Sequence, residues 1–141
     1  MVKKEKKRII FTTGKRKNAV ARAKIVPGSG RILINSKPID IWGNEYMRMW
    51  VKEPLMIAGE VSKSMDAHVT TSSGGIVGQA EAARMAIARG IVEFSGSKEL
   101  RSRFMQYDRN MLVYDPRRNE PHHAHGASKR GSRRHKQRSK R

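Results

Sequence analysis

Residues 67–94 read AHVTTSSGGIVGQAEAARMAIARGIVEF, and this stretch decides the fold. Ala67 to Ser72 is rich in β-branched residues and predicts a strand. Ser72-Ser73-Gly74-Gly75 breaks it. From Val77 to Phe94 the spacing predicts a helix, with Ala80, Ala83, Ile87, Ile91 and Phe94 on one stripe. The alanines are small, so the helix can lie close against a sheet. Gly90 costs about 1 kcal/mol relative to alanine, which points to a close backbone approach at that turn.

Working outward toward the N-terminus, residues 9–13 (IIFTT) and 19–26 (AVARAKIV) both read as strands. The second alternates, with Val20, Arg22, Lys24 and Val26 opposite Ala19, Ala21, Ala23 and Ile25, so one face is basic. Pro27-Gly28-Ser29-Gly30 is a turn, and Arg31 to Asn35 (RILIN) is expected to return beside the second strand as a hairpin. A further turn at Asn35-Ser36-Lys37-Pro38 completes an expected antiparallel meander. Asn44 can cap a helix running EYMRMWVK, with Tyr46, Met49 and Trp50 on one side. Pro54 then starts a second short helix, Leu55 to Ala58. Downstream of the long helix, Ser97 is a cap candidate for a helix from Lys98 to Tyr107.

The chain has 141 residues and a formal charge of +19, unevenly placed. Residues 1–24 hold ten Lys/Arg and one acid, and residues 117–141 again hold ten and one. Residues 25–116 hold eleven and ten. The expected organisation is therefore a basic arm (1–8), a globular body (9–116) and an extended basic tail (117–141). The tail contains no Val, Ile, Leu, Met, Phe, Tyr or Trp, so it cannot offset the entropy of ordering by itself. Flanking cations repel one another in a compact chain, and a polyanion would neutralise them. No apolar run approaches the roughly 18 residues of a membrane span, and Lys3, Lys4, Lys6, Lys7 and Arg8 do not suit a secretory signal. Without cysteine there is no disulfide or thiolate site. A cytosolic location is expected.

Three constellations carry possible chemistry. In Thr13-Gly14-Lys15-Arg16-Lys17-Asn18-Ala19, glycine lets the chain turn and three cations follow, a loop suited to adjacent phosphates. A Walker-type loop is excluded, because no second glycine stands five residues before a Gly-Lys-Ser/Thr sequence. Ser73-Gly74-Gly75-Ile76-Val77-Gly78-Gln79 lies where a helix start offers free N–H groups to phosphate. The same glycines also suit a tight strand-to-helix connection, and both readings stay open. Arg84 and Arg89 project from the polar part of this helix. The third is the tail: Arg117, Arg118, Lys129, Arg130, Arg133, Arg134, Lys136, Arg138, Lys140 and Arg141, where arginine favours bidentate phosphate contact and stacking on bases.

Metal and catalytic readings are weaker. His122, His123 and His125 have only Glu120 as an acidic neighbour and no fixed second layer of support. His68 reads as a packed or surface histidine. No hydrolase or metalloprotease motif is present, and Glu93, Glu99 and Asp108 read as ordinary helix-surface charges.

TGKRKNAVARAKI, GSGRILIN, GGIVGQAEAARMAIARGIVEF, LRSRFMQYDRNMLVYDPRR and a basic tail ending SKR occur in this order. Together they resemble the ribosomal small-subunit protein nine family in its archaeal–eukaryotic form, over essentially the whole chain. That resemblance implies an α+β fold in which helices back a four-stranded sheet, with a left-handed βαβ crossover. It implies a place in the head of the small subunit, with no enzymatic activity, cofactor, metal, membrane or small-molecule substrate. Neighbouring head proteins are expected partners.

Ribosomal RNA contacts are expected at Lys15, Arg16, Lys17, Arg22, Lys24, Gly74, Gly75, Gln79 and Arg84. In the tail they are expected at Arg117, Arg118, Lys129, Arg130, Arg133, Arg134, Lys136 and Arg138. Ser139, Lys140 and Arg141 match the family's terminal residues, which reach the transfer RNA of the peptidyl site. The chain departs from the family in having Ser73 before two glycines where three are usual. It also has Arg138 where an aromatic often precedes the terminal Ser-Lys-Arg, and an unusual His122-His123-Ala124-His125. The competing classes are a nucleotide-binding, small-molecule-kinase-like enzyme using residues 73–79, and a DNA-compacting basic protein.

Overall fold

Alternation of buried, mostly small or branched residues with outward-facing ones builds the sheet. In the computed structural model, which describes residues 8–119, β1 (Ile10–Arg16) and β2 (Ala19–Pro27) form an antiparallel hairpin. Ile10, Thr12 and Gly14 of β1 face inward with Ala19, Ala21, Ala23 and Ile25 of β2. Three more strands follow, β3 (Ile32–Ile34), β4 (Lys37–Pro38) and β5 (Met65–Ser72), and the sheet order is β1-β2-β5-β3-β4. The helices are α1 (Glu45–Ala58), α2 (Glu60–Lys63), α3 (Ile76–Ser95) and α4 (Lys98–Tyr107). The result is an α+β body in which helices back a sheet of five strands, one of them only two residues long.

The expected meander is corrected. RILIN does not return beside β2; β5 takes that position, antiparallel to β2 from Val20↔Ser72 to Pro27↔Met65, and β3 pairs parallel to β5. The cause lies in the turn. One Asp66 carboxylate oxygen accepts from the Ser29 and Arg31 N–H groups, each at 2.8 Å, while Gly28 and Gly30 donate to the Ser64 and Met65 carbonyls. The Pro27–Gly30 turn is thus tied across the start of β5 and delivers the chain to its far side. A parallel β3–β5 pair then needs a crossover, supplied by α1 and α2.

Helix α1 also differs from expectation. Asn44 caps it as expected, accepting from Met47 N–H at 3.0 Å, but the helix continues through Pro54 to Ala58. Its inward face is Met47, Val51, Pro54 and Ala58, whereas Tyr46, Met49 and Trp50 share the outward side. Burying Pro54 favours continuation despite the missing N–H.

Helix α3 spans the expected range and one residue more at each end. It is covered well beyond the expected stripe: Ala82 and Ala86 are buried against β1, and Met85 and Ala88 are buried as well in a helix that also packs on α1. Phe94 is only half-buried, at the margin. Its small residues allow the close approach. A Cβ on Gly14 of β1 would stand 2.0 Å from the Ala82 carbonyl oxygen, so α3 rests directly on that strand's backbone. A Cβ on Gly90 would meet the Ile25 side chain at 2.6 Å, the tight approach its presence implied. Thr12 adds a buried hydroxyl bond to the Ala86 carbonyl at 2.7 Å. Ser97 caps α4, and Leu100 and Phe104 anchor that helix to the core.

Candidate nucleic-acid interface

Two cationic surfaces arise from this architecture. The first is a cleft of about 710 Å³ where the β1–β2 turn meets the start of α3, lined by Arg16, Lys17, Asn18, Gly74, Gly75, Val77, Gly78, Glu81, Arg118 and Asn119. Lys17 adopts φ +50 to reverse the chain. Gly74 has φ +67, and a Cβ there would lie 2.7 Å from the Ala19 nitrogen, so the loop before α3 is pressed against β2. Gly75 is the N-cap and provides no capping side chain. The first-turn N–H groups of Ile76, Val77 and Gly78 therefore lack intrahelical partners and bring the positive end of the helix to the cleft. Gln79 N–H is the first to bond within the helix, to the Gly75 carbonyl. Arg118 donates to Asn18 Oδ1 at 3.2 Å, which places its guanidinium at the rim.

The second surface is the open face of the sheet, opposite the helices. Lys15 on β1 and Arg22 and Lys24 on β2 are exposed there. None has a carboxylate partner among the described residues. Asp66, the one acid on a strand among the described residues, is occupied by the backbone N–H groups of Arg31 and Ser29, which hold its carboxyl below the usual 3.8.

Several expected contact residues also bond within the body. Arg16 forms the cleft floor, its Nε 2.6 Å from Glu81 and its Nη1 on the Asp115 carboxylate. The Asp115 bond raises the Arg16 pKa above its usual value. Asp115 is pushed below 3.8, first by the Arg117 N–H at 3.0 Å and then by Arg16. Arg84 is mostly buried, with one nitrogen on Glu53 and another 2.7 Å from Asp108. Asp108 is therefore no ordinary surface charge, since it also accepts from the Asn110 N–H at 2.9 Å. Arg89 bonds the Leu112 and Thr13 carbonyls at 2.9 and 2.7 Å, stapling the C-terminal segment to β1. Gln79 donates to the Ser73 carbonyl at 3.0 Å and braces the glycine loop.

Of the residues named from sequence, Lys17, Gly74, Gly75 and Arg118 meet in the cleft, and Lys15, Arg22 and Lys24 share the sheet face. Arg117 is exposed, with its guanidinium 3.3 Å from Asp115. His68 is an exposed residue of β5. Lys129, Arg130, Arg133, Arg134, Lys136, Arg138, Ser139, Lys140 and Arg141, together with His122, His123 and His125, lie outside the described residues. The pairing of Arg16 with Asp115, 99 positions apart, leaves no sequence signal. Phe11, absent from the residues named from sequence, is 73 % exposed on the cationic face, fixed outward by inward-facing Ile10 and Thr12 on either side.

Comparison with known proteins fits this geometry. A family model described as ribosomal protein S9/S16 matches residues 14–141. The chain belongs to the ribosomal protein S9/S16 family. It is 44% identical over 132 residues to the small ribosomal subunit protein uS9 of Methanococcus vannielii, covering 94% of this chain and 98% of that protein. Membership makes this a ribosomal, RNA-binding protein and not an enzyme. Among the described residues no three His, Cys, Asp or Glu side chains cluster as metal ligands, and no helix is long and apolar enough to cross a membrane.

Proposed function

We propose that the chain is a structural component of the head of the small ribosomal subunit in the cytoplasm, binding ribosomal RNA through its body and tail. The observation that carries this reading is the separation of its cations. Those facing the core are bonded to carboxylates or carbonyls, while Lys15, Lys17, Arg22 and Lys24 face outward without carboxylate partners among the described residues. Cations arranged in this way bind phosphate by releasing counterions, with a log–log salt slope of about −0.7 to −0.9 per contact. Gly74 and Gly75 let the RNA backbone approach the free N–H groups of α3, with Lys17 and Arg118 beside it.

The tail continues the same chemistry. Its ten cations and absence of core-forming residues suit an arm that becomes ordered within RNA. Ser139, Lys140 and Arg141 would end that arm at the transfer RNA of the peptidyl site. The outward Tyr46, Met49 and Trp50 of α1 suit contact with neighbouring head proteins. The family pattern also implies a left-handed sense for the β3–β5 crossover, which the parallel pair accommodates.

Deleting residues 139–141 tests the terminal contact. Small subunits carrying the shortened chain are expected to assemble normally and to release peptidyl-site transfer RNA faster. An unchanged release rate contradicts that role. Sedimentation tests the wider reading: in a salt-washed lysate the chain is expected to travel with small subunits, and finding it only in the free fraction contradicts it.

A further inference from the structure

The open sheet face carries more than charge. Three registers place Phe11, Lys24, His68 and Leu33 side by side across β1, β2, β5 and β3. Directly opposed residues stand about 5 Å apart, so Lys24 lies between the Phe11 ring and the His68 imidazole. Two residues along β2, about 7 Å away, Arg22 lies between Thr13 and Thr70. Lys15 follows on β1, opposite Val20. Phe11 is 73 % exposed, and the alternation that buries Ile10 and Thr12 fixes it outward.

We propose that this row is a stacking platform for an unpaired nucleotide of RNA, with Phe11 under the base and Lys24, Arg22 and Lys15 on the flanking phosphates. The inference rests on the RNA-binding reading above and deepens it by naming the kind of RNA feature recognised. Three observations select this occupant. The face is cationic, and its only strand carboxylate among the described residues, Asp66, is consumed by backbone N–H groups, so a polyanion is the complementary partner. An exposed aromatic ring beside unpaired cations matches the needs of a splayed base, which stacks on the ring while its phosphates meet charge. A duplex keeps its bases stacked internally and would leave the ring unused. The other exposed aromatics among the described residues, Tyr46 and Trp50 on α1 and Tyr107 on α4, lack this setting: near the first two Lys52 pairs with Asp40 and Arg48 bonds the Asp40 carbonyl, and one turn before Tyr107 Arg103 pairs with Glu99.

The test compares the full-length chain with Phe11→Leu and Phe11→Trp variants on a 12-nucleotide single-stranded RNA and on duplex RNA of the same length. Binding is followed by fluorescence anisotropy at raised salt, which suppresses the phosphate contribution of the tail. Phe11→Leu is expected to weaken single-strand binding about tenfold and to leave duplex binding within about twofold. Phe11→Trp is expected to retain single-strand affinity and to gain an emission quenched by the single strand but not by the duplex. Equal affinities for Phe11→Leu and the parent, with no added quenching in Phe11→Trp, overturn the platform while leaving the wider RNA reading intact. Equal losses on both RNAs also overturn it, by assigning the face to the phosphate backbone. If the parent chain binds neither RNA, the wider reading falls instead.

Discussion

The arginines bonded through α3 and the cations of the open sheet face share a chemistry and stand in opposite settings. Arg16, Arg84 and Arg89 are tied to Glu81, Asp115, Glu53, Asp108 and two carbonyls, and they fix helices and the C-terminal segment to the sheet. Lys15, Arg22 and Lys24 are exposed and have no carboxylate partner among the described residues. The difference teaches that cation density alone does not identify a binding residue; what counts is whether the fold has already satisfied the charge.

The largest effect expected from breaking the inner framework comes from Gly14→Val. Its side chain would collide with the Ala82 carbonyl and force α3 off β1, a cost of about 3 kcal/mol or more. Urea denaturation should show it. Arg84→Met takes the cation from Glu53 and Asp108 and should cost about 2 kcal/mol, below the range for fully buried pairs because Asp108 is partly in water and keeps its Asn110 N–H. Its RNA affinity per folded molecule should stay near that of the parent.

Acid weakens the framework in a defined direction. Asp66 and Asp115 are held below their usual 3.8 by N–H donors and, for Asp115, by Arg16. The native state then binds fewer protons than the unfolded one, so their contribution is complete above the usual value and disappears as pH falls through the lower native values. The urea midpoint should drop on acidification below about pH 4, and less steeply in Asp115→Asn. An equal slope in that variant would remove Asp115 from the explanation. The smallest effect on stability belongs to the outer surface: Lys24→Ala should change it by less than about 0.5 kcal/mol while reducing the RNA salt slope by about 0.7–0.9.

Much of this fold is legible in the sequence because it depends on local patterning. Alternation in residues 19–26 gives β2 and its basic face, the alanine-rich stripe gives α3, and Asn44 and Ser97 mark helix starts. The sheet order is not legible, because it turns on one distant contact, the Asp66 carboxylate seizing the Ser29 and Arg31 N–H groups. Pro54 misleads for a related reason, since burial against the core outweighs its missing donor. The candidate interface is half legible. Lys15, Lys17, Arg22 and Lys24 lie outward as expected from a turn and an alternating strand, whereas Arg16 and Arg84 look identical in sequence and are claimed by acids from other elements.

The most direct test of this division is the salt dependence of RNA binding by the full-length chain with Lys15, Arg22 and Lys24 all changed to alanine. The log–log slope is expected to fall by about 2 to 3, with the urea midpoint unchanged. An unchanged slope with the same folded stability would contradict the assignment of that face to RNA.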